Sequence, residues 1–500
     1  MNSGGRARAG RALLALVVLA AACTSSGPDA RDPVRFASAT CPADVANALP
    51  ELHVTCGYLT VPERHADPEG GTIGVFVARV RGAEPVPPDP LIVIGGKDIG
   101  APVHYADDIA AKPGRVGREV IVLEPRGAGH GRPSLACPEI DAFDADHVGR
   151  SIADDEVSSA FAAASTACAD RLEGDGIDPG AFTIEESAAD VEDLVMALGL
   201  QAFNVEAIGY NSKIAFELLR RSPEGLRAVY LDSAIYPDQT FFDLTVDGTR
   251  SALEAFGHEC DAQPACRTLL PSITGTADEA IAALQQHPHV IEAAGMSVEV
   301  DGMSAARAVR DLMAFAPGVV ATEIADLAAG DRTDIAVYVA SQRPSCFGYR
   351  SFCRVTDPPV PWGEVLSILC HDDTPLVSNA SADRPSPSLL GALAHHPYLD
   401  ACRAWPTGEL ELSRDPFPAT DVPILLLHGD LDPYSTPPER STLATLSHAY
   451  AYVFAGQSTN PLGRGEEGCA QSVRSAFLAD PSSAPDTTCL ASLGVPTFTP

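Results

Sequence analysis

Lysine is nearly missing from this chain. Only Lys97, Lys112 and Lys213 occur among 34 basic residues, beside abundant alanine, glycine and proline. That pattern reflects codon usage in a GC-rich genome rather than chemistry. Basic charge as a whole is scarce: 67 acidic residues leave a formal charge of -33. A surface this negative repels phosphate backbones, so no nucleic-acid partner is expected. Apart from residues 12–22 no apolar run is long enough to approach a membrane span. CxxC pairs are absent. His287-Pro288-His289 and His395-His396 lack helical i,i+4 spacing, so neither a metal nor a cofactor is expected. There is no internal repeat. What is present, 45% hydrophobic and 20% charged residues over 500 positions, suits a folded globular protein and excludes a disordered acidic chain. The length fits one large domain with an insertion, or two to three smaller ones.

The N-terminus reads as an export signal. Arg6, Arg8 and Arg11 precede the apolar run 12–22, which is too short for a transmembrane helix and right for a signal peptide. Small residues then lead to Cys23, although Leu19 lies one place further from it than is usual. The arrangement resembles a bacterial lipoprotein cleavage site. Residues 1–22 are expected to be removed, Cys23 to carry lipid, and the polar stretch 23–36 to act as a tether. The protein would then sit on the outer face of the cell membrane. Ordinary secretory cleavage is the alternative, with Cys23 incidental.

Setting Cys23 aside leaves twelve of the 13 cysteines, an even number. An exported chain lives where disulfides persist. Neighbour pairing would join Cys41–Cys56, Cys137–Cys168, Cys260–Cys266, Cys346–Cys353, Cys370–Cys402 and Cys469–Cys489. The spacing alone does not exclude other connectivities.

Hydrophobic patterning divides the rest. Alternating runs at 52–62 and 72–81 read as strands. The short apolar runs 91–94 and 119–123 end in Gly-rich turns, as buried parallel strands do. Helical spacing of Ile184, Ala188, Val191, Val195 and Leu198 predicts a helix over 184–198, with Thr183 and Glu186 as its capping box. Strand 203–208, helix 212–221 and strand 227–231 follow. Strand 422–427, a helix near 437–446, strand 450–454 and a helix near 468–478 close the chain. This alternation predicts an α/β fold with a mostly parallel, doubly wound sheet. The core would span 37–236 and 422–500. The helical, loop-rich insertion 237–421 would be a cap over the C-terminal edge of the sheet, where such folds place their sites.

The segments CGYLTVPERH, VIVLEPRGAGHGRPSLACPE, FNVEAIGYNSKIAFELLRRSPEGLRAVYLDS, VPILLLHGDLDPYSTPP and the terminal CAQSVRSAFLADP resemble, in that order, the exported tripeptidyl-aminopeptidase-like α/β-hydrolases of actinobacteria. These are relatives of proline iminopeptidases, and several are lipoproteins. The resemblance spans nearly all of 40–495 and is weakest in the cap. It implies an α/β-hydrolase fold and a Ser-His-Asp hydrolase centre.

The residues at that centre depart from the pattern. Family members carry a nucleophile elbow in a segment like NLYGVSYGTRLALEL; aligned without a gap, its Ser falls on Gly209, between Ala207 and Asn211. Glycine keeps the strained turn at little cost and supplies no nucleophile. The acid position falls on Asp432 in HGDLDP, with Asp430 as its neighbour. The base position falls on Thr459, whose hydroxyl cannot act as general base near neutrality. The oxyanion region, Gly95 and Gly96 with the amide of Tyr210, continues into Lys97, Asp98 and Ile99, where an acid has the wrong sign for an oxyanion.

Ser212, beside Lys213, falls in a first helical turn and reads as a helix-start residue. His104, His130, His371, His395, His396 and His428 are candidate bases, each more simply a packing or surface residue. Asp432 is expected to hydrogen-bond Thr459 or nearby amides. The sequence therefore predicts a hydrolase-like housing without its catalytic centre, binding a peptide or small molecule under the cap. A working serine hydrolase with re-sited residues is the alternative.

Overall fold

Short β-branched runs set the architecture. The computed structural model describes Met1 and residues 34–500, apart from 83–85, 97–102, 111, 113–116, 347–353, 356–359, 378–386, 395–396, 408–417, 439–442, 444–445, 460–467, 495–496 and 499–500. Nine strands form one sheet: β1 (Arg35–Ala39), β2 (His53–Pro62), β3 (Thr72–Arg81), β4 (Leu91–Ile94), β5 (Val120–Leu123), β6 (Phe203–Ile208), β7 (Leu226–Asp232), β10 (Ile424–Gly429) and β11 (Ala449–Phe454). Their spatial order is β1-β2-β3-β5-β4-β6-β7-β10-β11. β1, β2, β3 and β5 pair antiparallel in succession, and every pairing from β5 to β11 is parallel. This is the α/β-hydrolase fold, with the turns after the parallel strands gathered along one edge.

Alternation along the central strands divides two cores. Ile92, Ile94, Ile121, Leu123, Val205 and Ala207 face one of them, together with the helix Ile184–Leu198 and much of the cap. Leu91, Val93, Val120, Val122, Tyr230 and Leu425 face the other, with the helix Cys469–Ala479. Both faces are covered, which is why these strands read as continuous apolar runs.

Two local expectations need correction. The tether is expected to run to residue 36, yet β1 begins at Arg35 and pairs Arg35 with Thr60. Four of its five residues are exposed, so it carries no buried alternation to betray it. The capping box is half formed: the Thr183 hydroxyl accepts from the Glu186 N–H, but the Glu186 carboxylate accepts from the His65 N–H and contacts Nδ1 of that ring. The cap is mainly helical but includes a hairpin of β8 (His289–Ala293) and β9 (Met296–Val300). The helix expected near 437–446 lies largely outside the described residues.

Five of the six neighbour disulfides are formed: Cys41–Cys56, Cys137–Cys168, Cys260–Cys266, Cys370–Cys402 and Cys469–Cys489. Cys353, expected partner of Cys346, lies outside the described residues, as does Cys23. Cys137 and Cys168 also lie near Glu139, but their sulfurs are spent on each other. Among the described residues no helix is long and apolar enough to cross a membrane.

Candidate functional site

The turn after β6 has the shape of a nucleophile elbow. Ile208 is extended, Gly209 takes φ +58°, and a tight 3-10 turn over Gly209–Asn211 leads into the helix Ser212–Arg221. A side chain at positive φ costs strain that glycine avoids. The apex thus keeps the bend and offers no reactive atom.

Beside it, Gly95 follows β4 at φ +63° and donates its N–H to the Leu123 carbonyl at 2.9 Å. The Asn211 amide donates to the Gly96 carbonyl at 2.9 Å, joining the elbow to this loop. Lys97, Asp98 and Ile99 lie outside the described residues. Ser212 is fully buried, and its hydroxyl finds no hydrogen-bond partner among the described residues. Among the described residues it therefore has no base within hydrogen-bond reach.

The turn after β10 brings Asp432, the expected acid position, to Thr459, the expected base position. Thr459 donates its hydroxyl to Asp432 Oδ1. The same oxygen accepts the Tyr434 N–H at 3.0 Å. Oδ2 accepts the Ser435 hydroxyl at 2.5 Å. All three side chains are buried. Asp430 serves a different end: it accepts the Gly456 N–H at 2.8 Å, and burial pushes its carboxyl up to about 6 against that hydrogen bond. The β10 and β11 turns approach so closely that a Cβ on Gly429 would fall 2.2 Å from the Ser458 carbonyl oxygen. Gly209 stands at the end of β6, one strand away from Asp432 across β7.

The sequence reading missed one grouping. Ser435 Oγ also lies 3.2 Å from His428 Nδ1, so a hydroxyl, an imidazole and a carboxylate meet here. Their order is not that of a relay. In a Ser-His-Asp triad the imidazole stands between the other two and takes the hydroxyl proton. Here the hydroxyl stands in the middle. Its single proton goes to Asp432, so Nδ1–H of His428 must donate to Ser435. Burial drives the imidazole pKa down to about 4 against the pull of Asp432, so the ring is neutral at physiological pH. Its Nε2 is buried without a partner among the described residues. A buried Ser three positions after Asp432 has no distinguishing sequence pattern.

Cap residues press onto these turns. Asp373 Oδ1 accepts from Tyr210 Oη and Lys213 Nζ, each at 2.6 Å, and Oδ2 accepts the Phe241 N–H at 2.6 Å. Burial raises the Asp373 pKa while Lys213 and these donors pull it down. Lys213, one of three lysines in the chain, thus ties the elbow helix to the cap. Tyr434 donates to Asp311 Oδ1 at 2.6 Å. A Cβ on Gly248, in the helix Phe241–Ala262, would lie 2.7 Å from the Pro433 carbonyl oxygen. His371 lies beside Asp372, and His130 contacts Glu124 and Asp44. Neither contacts Asp432 or Ser212 in the hydrogen-bond network. His395 and His396 lie outside the described residues.

The LEPRG turn is equally structural. Arg126 is buried, grips Asp190 through two nitrogens at 2.9 and 2.6 Å, and donates to the Ala181 carbonyl at 2.8 Å. His65 lies in the same cluster. Burial lowers its pKa, but the carboxylates of Asp193, Glu186 and Asp190 outweigh this and raise it to about 9.

Residues 388–489 match the model of the family described as TAP-like protein. No curated protein matches the chain. Among solved structures, the chain is similar to a proline iminopeptidase of Mycobacterium smegmatis, at 17% identity and TM-score 0.37, over 85% of this chain and 98% of that one. It is also similar to a thermophilic esterase of Thermogutta terrifontis, at 14% identity and TM-score 0.38, over 85% and 99%. An α/β-hydrolase fold protein of Chitinophaga pinensis follows at 11% identity and TM-score 0.32, over 90% and 99%. The chain is an α/β-hydrolase-fold protein whose C-terminal segment matches the TAP-like family.

Proposed function

We propose that this chain is an exported, lipid-anchored α/β-hydrolase-fold protein that forms no acyl-enzyme and has kept its housing to bind a ligand or partner. One observation carries the reading. The carboxylate of Asp432 accepts from the hydroxyls of Thr459 and Ser435 and from the Tyr434 N–H, and among the described residues no imidazole hydrogen-bonds to it. The elbow apex is Gly209, and the alignment that placed the family's base on Thr459 gains support from its contact with Asp432. Five disulfides fit an oxidising compartment outside the cytoplasm. The export signal and Cys23 argue for the anchor. Incubation of the purified protein with a fluorophosphonate probe tests the inactivity. No covalent labelling is expected, and stoichiometric labelling would overturn it. Metabolic labelling with a palmitate analogue tests the anchor: incorporation is expected, and its loss in Cys23→Ala.

A second reading has one observation in its favour, the grouping of Ser435, His428 and Asp432. A re-sited hydrolase would label at Ser435, and Ser435→Ala would abolish that labelling. The buried state of all three groups and the direction of the His428 hydrogen bond weigh against it.

A further inference from the structure

The cap carries a small sheet of its own, the hairpin of β8 and β9, and its two edges are treated differently. The turn between the strands has Ala294 at φ +51° and Gly295 at φ +82°, as a two-residue hairpin turn requires, and it sets Ala293 opposite Met296 and Val290 opposite Glu299. Glu299 sends its N–H away from β8, to the Gly149 carbonyl at 2.7 Å. The outer edge of β9 is thus closed by the chain at Gly149. The same bond means that Val290 and Glu299 do not hydrogen-bond across the hairpin. Val290 therefore turns its N–H and C=O away from β9, and Glu292, two residues on, does the same. Among the described residues nothing hydrogen-bonds to these groups.

The open edge is also undefended. Native sheets blunt such edges with lysine, proline, a bulge or covering chain. β8 reads His-Val-Ile-Glu-Ala and pairs with β9 in continuous register, so it holds none of these, and Pro288 stops one residue short of it. Its inner face is anchored: Ile291 and Ala293 pack on the main core, and Val298 and Val300 opposite them are fully buried. Its outer face is Val290, 72% exposed, and Glu292, also exposed. A fixed strand with unmet main-chain groups pairs at little further cost in entropy.

Charge decides the occupant. Glu299, on the same face, has Arg150 at 3.5 Å, whereas Glu292 makes no ion pair among the described residues. An incoming antiparallel strand lays one side chain beside Glu292 and the next but one beside Val290. Lysine or arginine suits the first place and a β-branched residue the second. The field of a chain with formal charge -33 draws a basic segment in. A second copy fits worse: the register that uses both free residues sets each Val290 against a Glu292, and it joins two chains of the same strong charge.

We propose that the open edge of β8 takes up an extended, basic segment of a partner protein as a third, antiparallel strand, with Lys or Arg opposite Glu292 and a β-branched residue opposite Val290. The edge belongs to the cap, so the proposal stands or falls independently of whether the core hydrolyses anything.

Fluorescence polarisation with the full folded chain at low salt tests it. The probe is fluorescein-Gly-Gly-Thr-Lys-Ile-Val-Thr-amide, whose Lys and Val amides face β8 in this pairing while its Ile amide faces away. Saturable binding is expected. N-methylation at Lys or at Val should weaken it about tenfold, and N-methylation at Ile should leave it unchanged. Val290→Pro, which deletes a free N–H at an exposed edge position, should weaken it about fivefold. Glu292→Lys should weaken it about fivefold, and replacing the probe's Lys by Glu should restore binding to that variant. Glu173→Lys, the same change of charge on an exposed helical residue elsewhere, leaves binding unchanged. If the proline variant does not fold, the charge swap at Glu292 still decides the matter. No saturable binding, equal weakening by all three methylations, unchanged affinity in both Val290→Pro and Glu292→Lys, or self-association of the chain that Val290→Pro abolishes would overturn the proposal.

Discussion

Thr459 and Asp432 are joined by a buried hydrogen bond, the Thr hydroxyl donating to the carboxylate, where the family resemblance leads one to expect an imidazole. The contact turns an acid at an α/β-hydrolase strand end into a brace between the β10 and β11 turns. Its removal should be felt as stability. Thr459→Val keeps the shape and deletes the donor, leaving a buried oxygen with one partner fewer. A loss of about 1–3 kcal/mol is expected in urea unfolding. An unchanged midpoint would show that the contact does not brace the turn.

Restoring a side chain at the elbow should cost strain. Gly209 sits at φ +58°, and Gly209→Ser should destabilise the chain by about 1–2 kcal/mol. It should remain unreactive to a fluorophosphonate probe, since Thr459 supplies no base. Labelling of this single variant would reveal a base elsewhere.

The pair of Lys213 and Asp373 should behave as a buried ion pair. Lys213→Met alone strands a buried carboxylate, and Asp373→Asn alone strands an ammonium, each at about 3–5 kcal/mol. The double variant should lose less than the sum of the two. A double-mutant cycle measured by chemical unfolding reads the coupling directly, and additive losses would contradict it.

His65 should make the protein less stable in alkali. Its folded pKa is about 9, above the ordinary 6.5, so its charged form is favoured by folding. The contribution is fully present below pH 6.5 and disappears as pH rises through 9. With a quarter of the side chain open to solvent, the loss should be of order 2 kcal/mol. Unfolding free energies measured between pH 6 and 10 should fall accordingly for the wild type and stay flatter for His65→Gln.

The frame was legible because its signal is local. The runs 91–94 and 203–208 are buried on both faces and so apolar throughout, and turn residues bound them. The helix Ile184–Leu198 announced itself by apolar spacing and by Thr183. β1 escaped because Arg35–Ala39 earns its place only through main-chain pairing with β2, which leaves no mark on side-chain pattern. Glu186 reads as a capping-box residue because sequence shows only its distance from Thr183. In space, His65 lies nearer and carries charge.

The chain alone determined that Gly209 carries no nucleophile, since a side chain's chemistry is fixed by its identity wherever it is placed. It also determined the alternation of strands and helices, because burial periodicity is written in neighbouring residues. What occupies the Asp432 carboxylate and why Lys213 is there were decided only by tertiary structure. Those partners come from segments up to hundreds of residues apart, and hydrogen bonds and ion pairs act over a few ångströms of space, whatever the distance along the chain.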